Sequence, residues 1–218
     1  MTAGGTLLLL QTLTNLNMVP AGAGLPAGWR LTGVQGVQAP TYRVTGSHSL
    51  RIVAVGQAAT VTFRLRQLLR PPASTRSGAL TWRWRAETPL NGADLKRRAS
   101  DDSPLRVVIT FQDGRVLTYC WGNREGRGES FASWAGRNRM VIVLQRAEDA
   151  DGSWHVERRD PFSDYRRLWG NAPKPIVSVG VTTDTDGLKV RSAAEIGDIT
   201  WTGPQADLPG FGVPRAGF

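Results

Sequence analysis

At 218 residues the chain suits a single domain with enough buried area to stand alone, and its one thiol, Cys120, excludes an intramolecular disulfide framework. A formal net charge of +9 would draw it to polyanions. However, 24 of the 27 basic residues are Arg, dispersed along the chain with "LKRR" (Leu95 to Arg98) as the densest cluster, and this dispersion argues against a nucleic-acid partner.

Residues 1–24 carry no charged side chain. The apolar part, "TLLLLQTLTNL", is shorter and more polar than the roughly 20 apolar residues of a transmembrane span, and no basic region precedes it as in a signal peptide. It reads as a first strand or as the remnant of a leader. Residues 25–203 form the expected domain, in which apolar residues recur at every second position, the signature of half-buried strands. In "ATVTFRLRQ", Val61, Phe63 and Leu65 share a face; in "ALTWRWRAE", Leu80, Trp82 and Trp84 oppose Arg83 and Arg85; in "LRVVITFQ", Leu105, Val107, Ile109 and Phe111 oppose Arg106. "TYRVT", "SLRIVAV", "RVLTYCW", "RMVIVLQR", "SWHVERR", "PIVSVGVTT" and "EIGDITW" add further strands. "QDGR" sets Asp-Gly between two alternating runs, a strong hairpin signal, and "DADGSW" is a second such turn. About ten strands in one domain predict an all-β fold, a two-sheet antiparallel jelly-roll-like sandwich.

One short helix is expected in "RRDPFSDYRRLWG": Asp160 caps it, Pro161 takes its first position and Gly170 ends it. Residues 204–218, "PQADLPGFGVPRAGF", form a Pro/Gly-rich tail.

Two acidic clusters and one aromatic group are the candidates for chemistry. Asp101 and Asp102 precede a Ser-Pro turn and Arg106, and with Asp184 they form the candidate carboxylate set of a glycan hydrolase or lyase. The alternative is an acid pair that satisfies loop amides and a nearby arginine. In "VTTDTDGLK", Asp184 and Asp186 are spaced like early ligands of a calcium loop, with Asp198 as a distant third ligand for a structural calcium; the terminal bidentate Glu of an EF-hand is missing, and Asp-Gly there equally makes a hairpin. Tyr119 and Trp121 share one face of "LTYCWGN", while Val116 and Cys120 make the other face apolar too. With Arg83, Arg85, Arg106 and Arg158 they are the candidate ligand-binding residues of a guanidinium-edged aromatic platform for sugar rings, against a plain role in the core. The histidines, His48 and His155, leave little for a His-based triad, and there is no nucleophile elbow, zinc spacing or phosphate loop.

"LPAGW", "TYRV", "LTWRWRAETPLNGADLKRRASDDSPLRVVITF", "LTYCWGN", "GSWHVERRDPFSDYRRLWG", "VTTDTDG" and "GDITW" together resemble, in sequence and spacing, the bacterial domain-of-unknown-function family 3047, from about Leu25 to Trp201. The resemblance implies an exported or envelope protein of Gram-negative bacteria and a sandwich similar to carbohydrate-binding modules. Three functions remain open on the sequence. They are a non-catalytic envelope module for glycan or an acidic envelope polymer, a carboxylate hydrolase or lyase, and a structural subunit docked on a protein partner through the N-terminal segment and the tail.

Overall fold

The computed structural model describes residues 8–72 and 78–204; the expected tail, apart from Pro204, lies outside them. The described chain forms fourteen strands and one α-helix, in two seven-stranded sheets packed face to face. The first sheet runs β1 (Leu8–Thr12), β14 (Thr200–Pro204), β6 (Ala79–Ala86), β13 (Arg191–Ile196), β4 (Leu50–Val55), β3 (Thr41–Val44). β11 (His155–Arg159) lies along β6, on the edge away from β13 and β14. The second sheet runs β2 (Trp29–Gly33), β5 (Ala58–Leu69), β12 (Ile176–Asp184), β7 (Ser103–Phe111), β8 (Val116–Trp121), β10 (Arg139–Gln145), β9 (Ser130–Ala132). The fold is the jelly-roll-like sandwich expected, with more strands than the alternation revealed. One pair, β8 and β10, is parallel.

The alternating runs explain the packing. Leu80, Trp82, Trp84 and Ala86 of β6 point inward and meet Leu117, Tyr119 and Trp121 of β8 from the opposite sheet. Trp82 lies 5.5 Å from Tyr119, and Trp84 lies 5.5 Å from Trp121, between ring centroids. Such offset and edge-on pairs add to the area they bury. Tyr119 donates from its hydroxyl to Asp164 at 2.8 Å, and the Trp121 indole donates to the Arg146 carbonyl at 2.9 Å, so both polar tips are satisfied inside the core.

The helix α1 (Pro161–Trp169) closes one end. Asp160 accepts from the amides of Phe162 and Ser163, and Gly170 ends the helix at φ 69°. Phe162 packs on Trp201 and Tyr165 on Phe111, which fixes the helix to both sheets.

"QDGR" makes the β7–β8 hairpin as expected, with Gly114 at φ 82°. The other two Asp-Gly sites do not make hairpins. "DADGSW" leads from β10 in one sheet to β11 in the other, and "TDTDG" leads from β12 to β13 across the sandwich. Gly187 is there for closeness: a Cβ on it would stand 2.7 Å from the Ala99 carbonyl oxygen and 2.9 Å from the Asp102 carboxylate.

Candidate functional site

The outward face of the second sheet is a cleft of about 550 Å³. Its floor follows from strand alternation. With Val61, Val107, Leu117 and Tyr119 buried in the core, the odd-one-out positions turn outward: Thr60 and Thr62 from β5, Thr182 from β12, Arg106, Val108 and Thr110 from β7, Thr118 and Cys120 from β8. Register sets Thr60, Thr182, Arg106 and Cys120 in one row across four strands. The walls are Thr32–Val34 on the β2 side and Ser133–Ala135 on the β10 side. Trp134, 46 % exposed, stands in that second wall.

Arg106 is the charged centre of the cleft. Its guanidinium lies 3.6 Å from the Asp101 carboxylate and 3.6 Å from that of Asp184, and it also donates to the Asp101 backbone carbonyl. Burial raises the Asp101 carboxyl above the usual range, with Arg106 and the Trp134 side chain opposing. Burial pushes the Asp184 carboxyl up to about 7; Arg106 opposes, and a hydrogen bond with Asp186 adds to the rise. Asp184 is thus about half protonated near neutrality. Burial also pushes the Cys120 thiol up to about 12, so it is floor and not nucleophile.

Asp102 points away from its neighbour. It is buried, and its carboxylate accepts from the amides of Gly187 and Leu188 at 3.0 and 2.9 Å, tying the "TDTDG" connection to the entrance of β7. Of the candidate carboxylates, then, Asp101 and Asp184 meet in the cleft and Asp102 does not open onto it.

The metal-binding set is also rearranged. Asp102, Asp184 and Asp186 bring oxygens within 4.8 Å of one another. Asp198 is elsewhere: it accepts from the Thr14 hydroxyl at 2.7 Å and the Leu16 amide at 2.6 Å, pinning the N-terminal segment to the first sheet. The remaining three supply three carboxylates where calcium takes six to eight oxygens. Asp102 already serves two amides, and the cation that Asp184 faces is Arg106.

The expected aromatic platform is corrected in the same way. Tyr119 and Trp121 are 0 and 1 % exposed, so neither presents a face to a ligand. The "LTYCWGN" strand is apolar on both sides, and the side that meets the cleft is Val116, Thr118 and Cys120. Arg83 and Arg85 lie on the outer face of the first sheet, their guanidiniums 4.6 and 5.0 Å from the Trp154 ring centroid. Arg158 is exposed on β11 of that same sheet, opposite Thr81. Only Arg106 of the six expected ligand residues lies in the cleft. The residue missed was Trp134. Its signal is an aromatic in "SWAGRN", a loop of small and polar residues with no alternation to bury it.

Residues 27–200 match the family described as Protein of unknown function (DUF3047). The chain belongs to this family. No curated protein matches it. Among solved structures, it is similar to a mutant of a carbohydrate-binding module of family 29, at 9 % identity and TM-score 0.44 over 89 % of this chain and 92 % of that one. It is also similar to the xyloglucanase domain of NopAA, a type three effector from Sinorhizobium fredii in complex with cellobiose, at 12 % identity and TM-score 0.47 over 89 % and 98 % of the two chains. A β-1,2-glucanase from Parabacteroides distasonis shares 12 % identity and TM-score 0.45 over 90 % of this chain and 25 % of its own length. Among the described residues no helix is long and apolar enough to cross a membrane.

Proposed function

We propose that this chain is a glycan-binding module whose ligand lies in the cleft of the second sheet. The observation that carries the reading is the cleft's chemistry: an exposed Trp134 in the wall, a floor of threonines and small apolar groups, and Arg106 with Asp101 at its centre. A sugar ring has an apolar face that stacks on indole and a polar edge that needs paired donors and acceptors, and this cleft offers both. The hydroxyls of Thr62 and Thr118 add donors that can rotate to suit either role, and those of Thr60 and Thr182, hydrogen-bonded to each other at 2.7 Å, leave one donor between them. Isothermal titration against a polysaccharide panel tests it, with Trp134→Ala expected to abolish or strongly weaken binding while the fold persists. A panel in which nothing binds, or a Trp134→Ala variant that binds as well as the parent, overturns the reading.

A hydrolytic reading has one arrangement in its favour, the Asp184 carboxyl, pushed up to about 7 by burial, beside Asp101 in the same cleft. Product release from a bound polysaccharide, lost in both Asp184→Asn and Asp101→Asn, would establish it. The envelope setting belongs to the same proposal and rests on the family resemblance. Fractionation of cells carrying the tagged full gene checks it, and a purely cytoplasmic signal would refute it.

A further inference from the structure

The face that carries the cleft is charged unevenly. Alternation puts Arg64 and Arg66 on the same side of β5 as Thr60 and Thr62, and the pairing of Arg30 with Thr62 puts Arg30 beside them. Arg139 of β10 lines the cleft itself. All four arginines are exposed, and among the described residues none has a carboxylate partner. The acids of the cleft, Asp101 and Asp184, are both engaged by Arg106.

Register places two of these arginines at the ends of one row. Arg64 pairs with Ser178, Ser178 with Thr110, Thr110 with Val116, and Val116 with Arg139. That row crosses four strand gaps, about 19 Å at roughly 4.8 Å per gap, and everything between its ends is small and uncharged. Arg106 lies on β7 four residues from Thr110, roughly 13 Å along the strand, so Asp101 and Asp184 stand clear of the row. Guanidinium groups bind carboxylates through two parallel hydrogen bonds, and unpaired ones favour an anionic ligand. A nucleic acid would want several aromatic faces interleaved with the arginines, whereas the row holds none and, among the described residues, Trp134 is the sole aromatic lining the cleft.

We infer that the cleft takes an anionic polysaccharide, a chain of uronate type whose carboxylates meet Arg64 and Arg139 at the two ends of this row. The inference rests on the glycan reading above and narrows its ligand. Polygalacturonate and its fully methyl-esterified form share their rings and differ in charge, so titrating the protein with both separates the two ideas. The acid form is expected to bind about tenfold tighter than the ester at low salt, with the preference shrinking as sodium chloride screens it. Arg64→Glu and Arg139→Glu are each expected to weaken the acid form about fivefold or more and the ester by less, so that the preference for the acid form shrinks while the melting temperature stays unchanged. Equal affinities for the two forms, both weakened by Trp134→Ala, overturn the inference and keep the glycan reading. So does binding of neutral glycans with none of polygalacturonate, alginate and hyaluronan. Single-stranded DNA binding as tightly as polygalacturonate, with Trp134→Ala affecting neither, shows general adsorption of polyanions and overturns the inference.

Discussion

The Asp184→Asn variant tests the electrostatics of the cleft most directly. The carboxyl is 15 % exposed and is surrounded by Arg106, Asp101, Asp102 and Asp186. Its folded pKa of about 7 lies above the ordinary 3.8, so between those values the folded state holds a proton that the unfolded state has lost. Stability therefore falls as pH rises through that window, and the cost is fully present above about pH 7. Three units at about 1.36 kcal/mol each set a ceiling of about 4 kcal/mol. Water at the mouth of the cleft and relaxation of Arg106 cut this to about 2 kcal/mol. Asparagine keeps the shape and fixes the neutral state. Thermal melts are expected to show the variant more stable than the parent at pH 8 by about 2 kcal/mol, or about 4–8 °C for a chain of this size. At pH 4 the difference is expected to shrink to about 1 °C, because the folded carboxyl is then neutral, as asparagine is, and the unfolded one is only about half ionised. An equal difference at the two pH values refutes the argument from burial. A variant less stable than the parent at pH 8 refutes it too, since the Arg106 ion pair would then outweigh desolvation.

Other perturbations separate the cleft from the core. Trp121→Ala removes a fully buried ring and is expected to cost about 3–5 kcal/mol in denaturant unfolding, whereas Trp134→Ala on the exposed wall is expected to change stability by about 0.5 kcal/mol or less. Gly187→Ala drives a methyl group against the Ala99 carbonyl and the Asp102 carboxylate and is expected to cost about 2 kcal/mol or more, with the cleft end near Asp184 disturbed. Asp160→Ala frees the amides of Phe162 and Ser163 and is expected to cost about 1 kcal/mol by the same unfolding measurement. Adding millimolar calcium, or a chelator, is expected to shift the melting temperature by about 1 °C or less; a rise of several degrees would show that the three aspartates do hold a cation.

The strands, the hairpin at Asp113-Gly114 and the capped helix at Asp160 were legible because each rests on local chemistry: side-chain alternation, a turn glycine and a capping carboxylate. The destinations of the other Asp-Gly turns were not local. Whether a strand returns beside its predecessor or crosses to the opposite sheet depends on which partner edge is open, and for β12 both edges are already held by β5 and β7. Asp198 was misplaced for a related reason. Its carboxylate serves Thr14 and Leu16, more than 180 positions away in sequence, and no spacing rule reaches that far.

The two central errors have one cause, the parity of side chains along an extended chain. On β8 both faces are apolar, so alternation shows that something covers each side without showing which side is the core. The decision comes from β6, whose arginines on one face leave Trp82 and Trp84 no direction but inward, where the aromatic face of β8 meets them and Cys120 is left on the cleft side. The acid pair divides likewise. Adjacent residues entering a strand point opposite ways, so Asp102 turns in to the amides of Gly187 and Leu188 while Asp101 turns out beside Arg106. Each half depends on the other: the buried carboxylate holds the connection after Asp184 in place, and that connection positions the second acid of the cleft. Asp102→Asn should therefore disturb the Asp184 titration without itself lining the site, and an Asp184 carboxyl that titrates unchanged in that variant would uncouple the two halves.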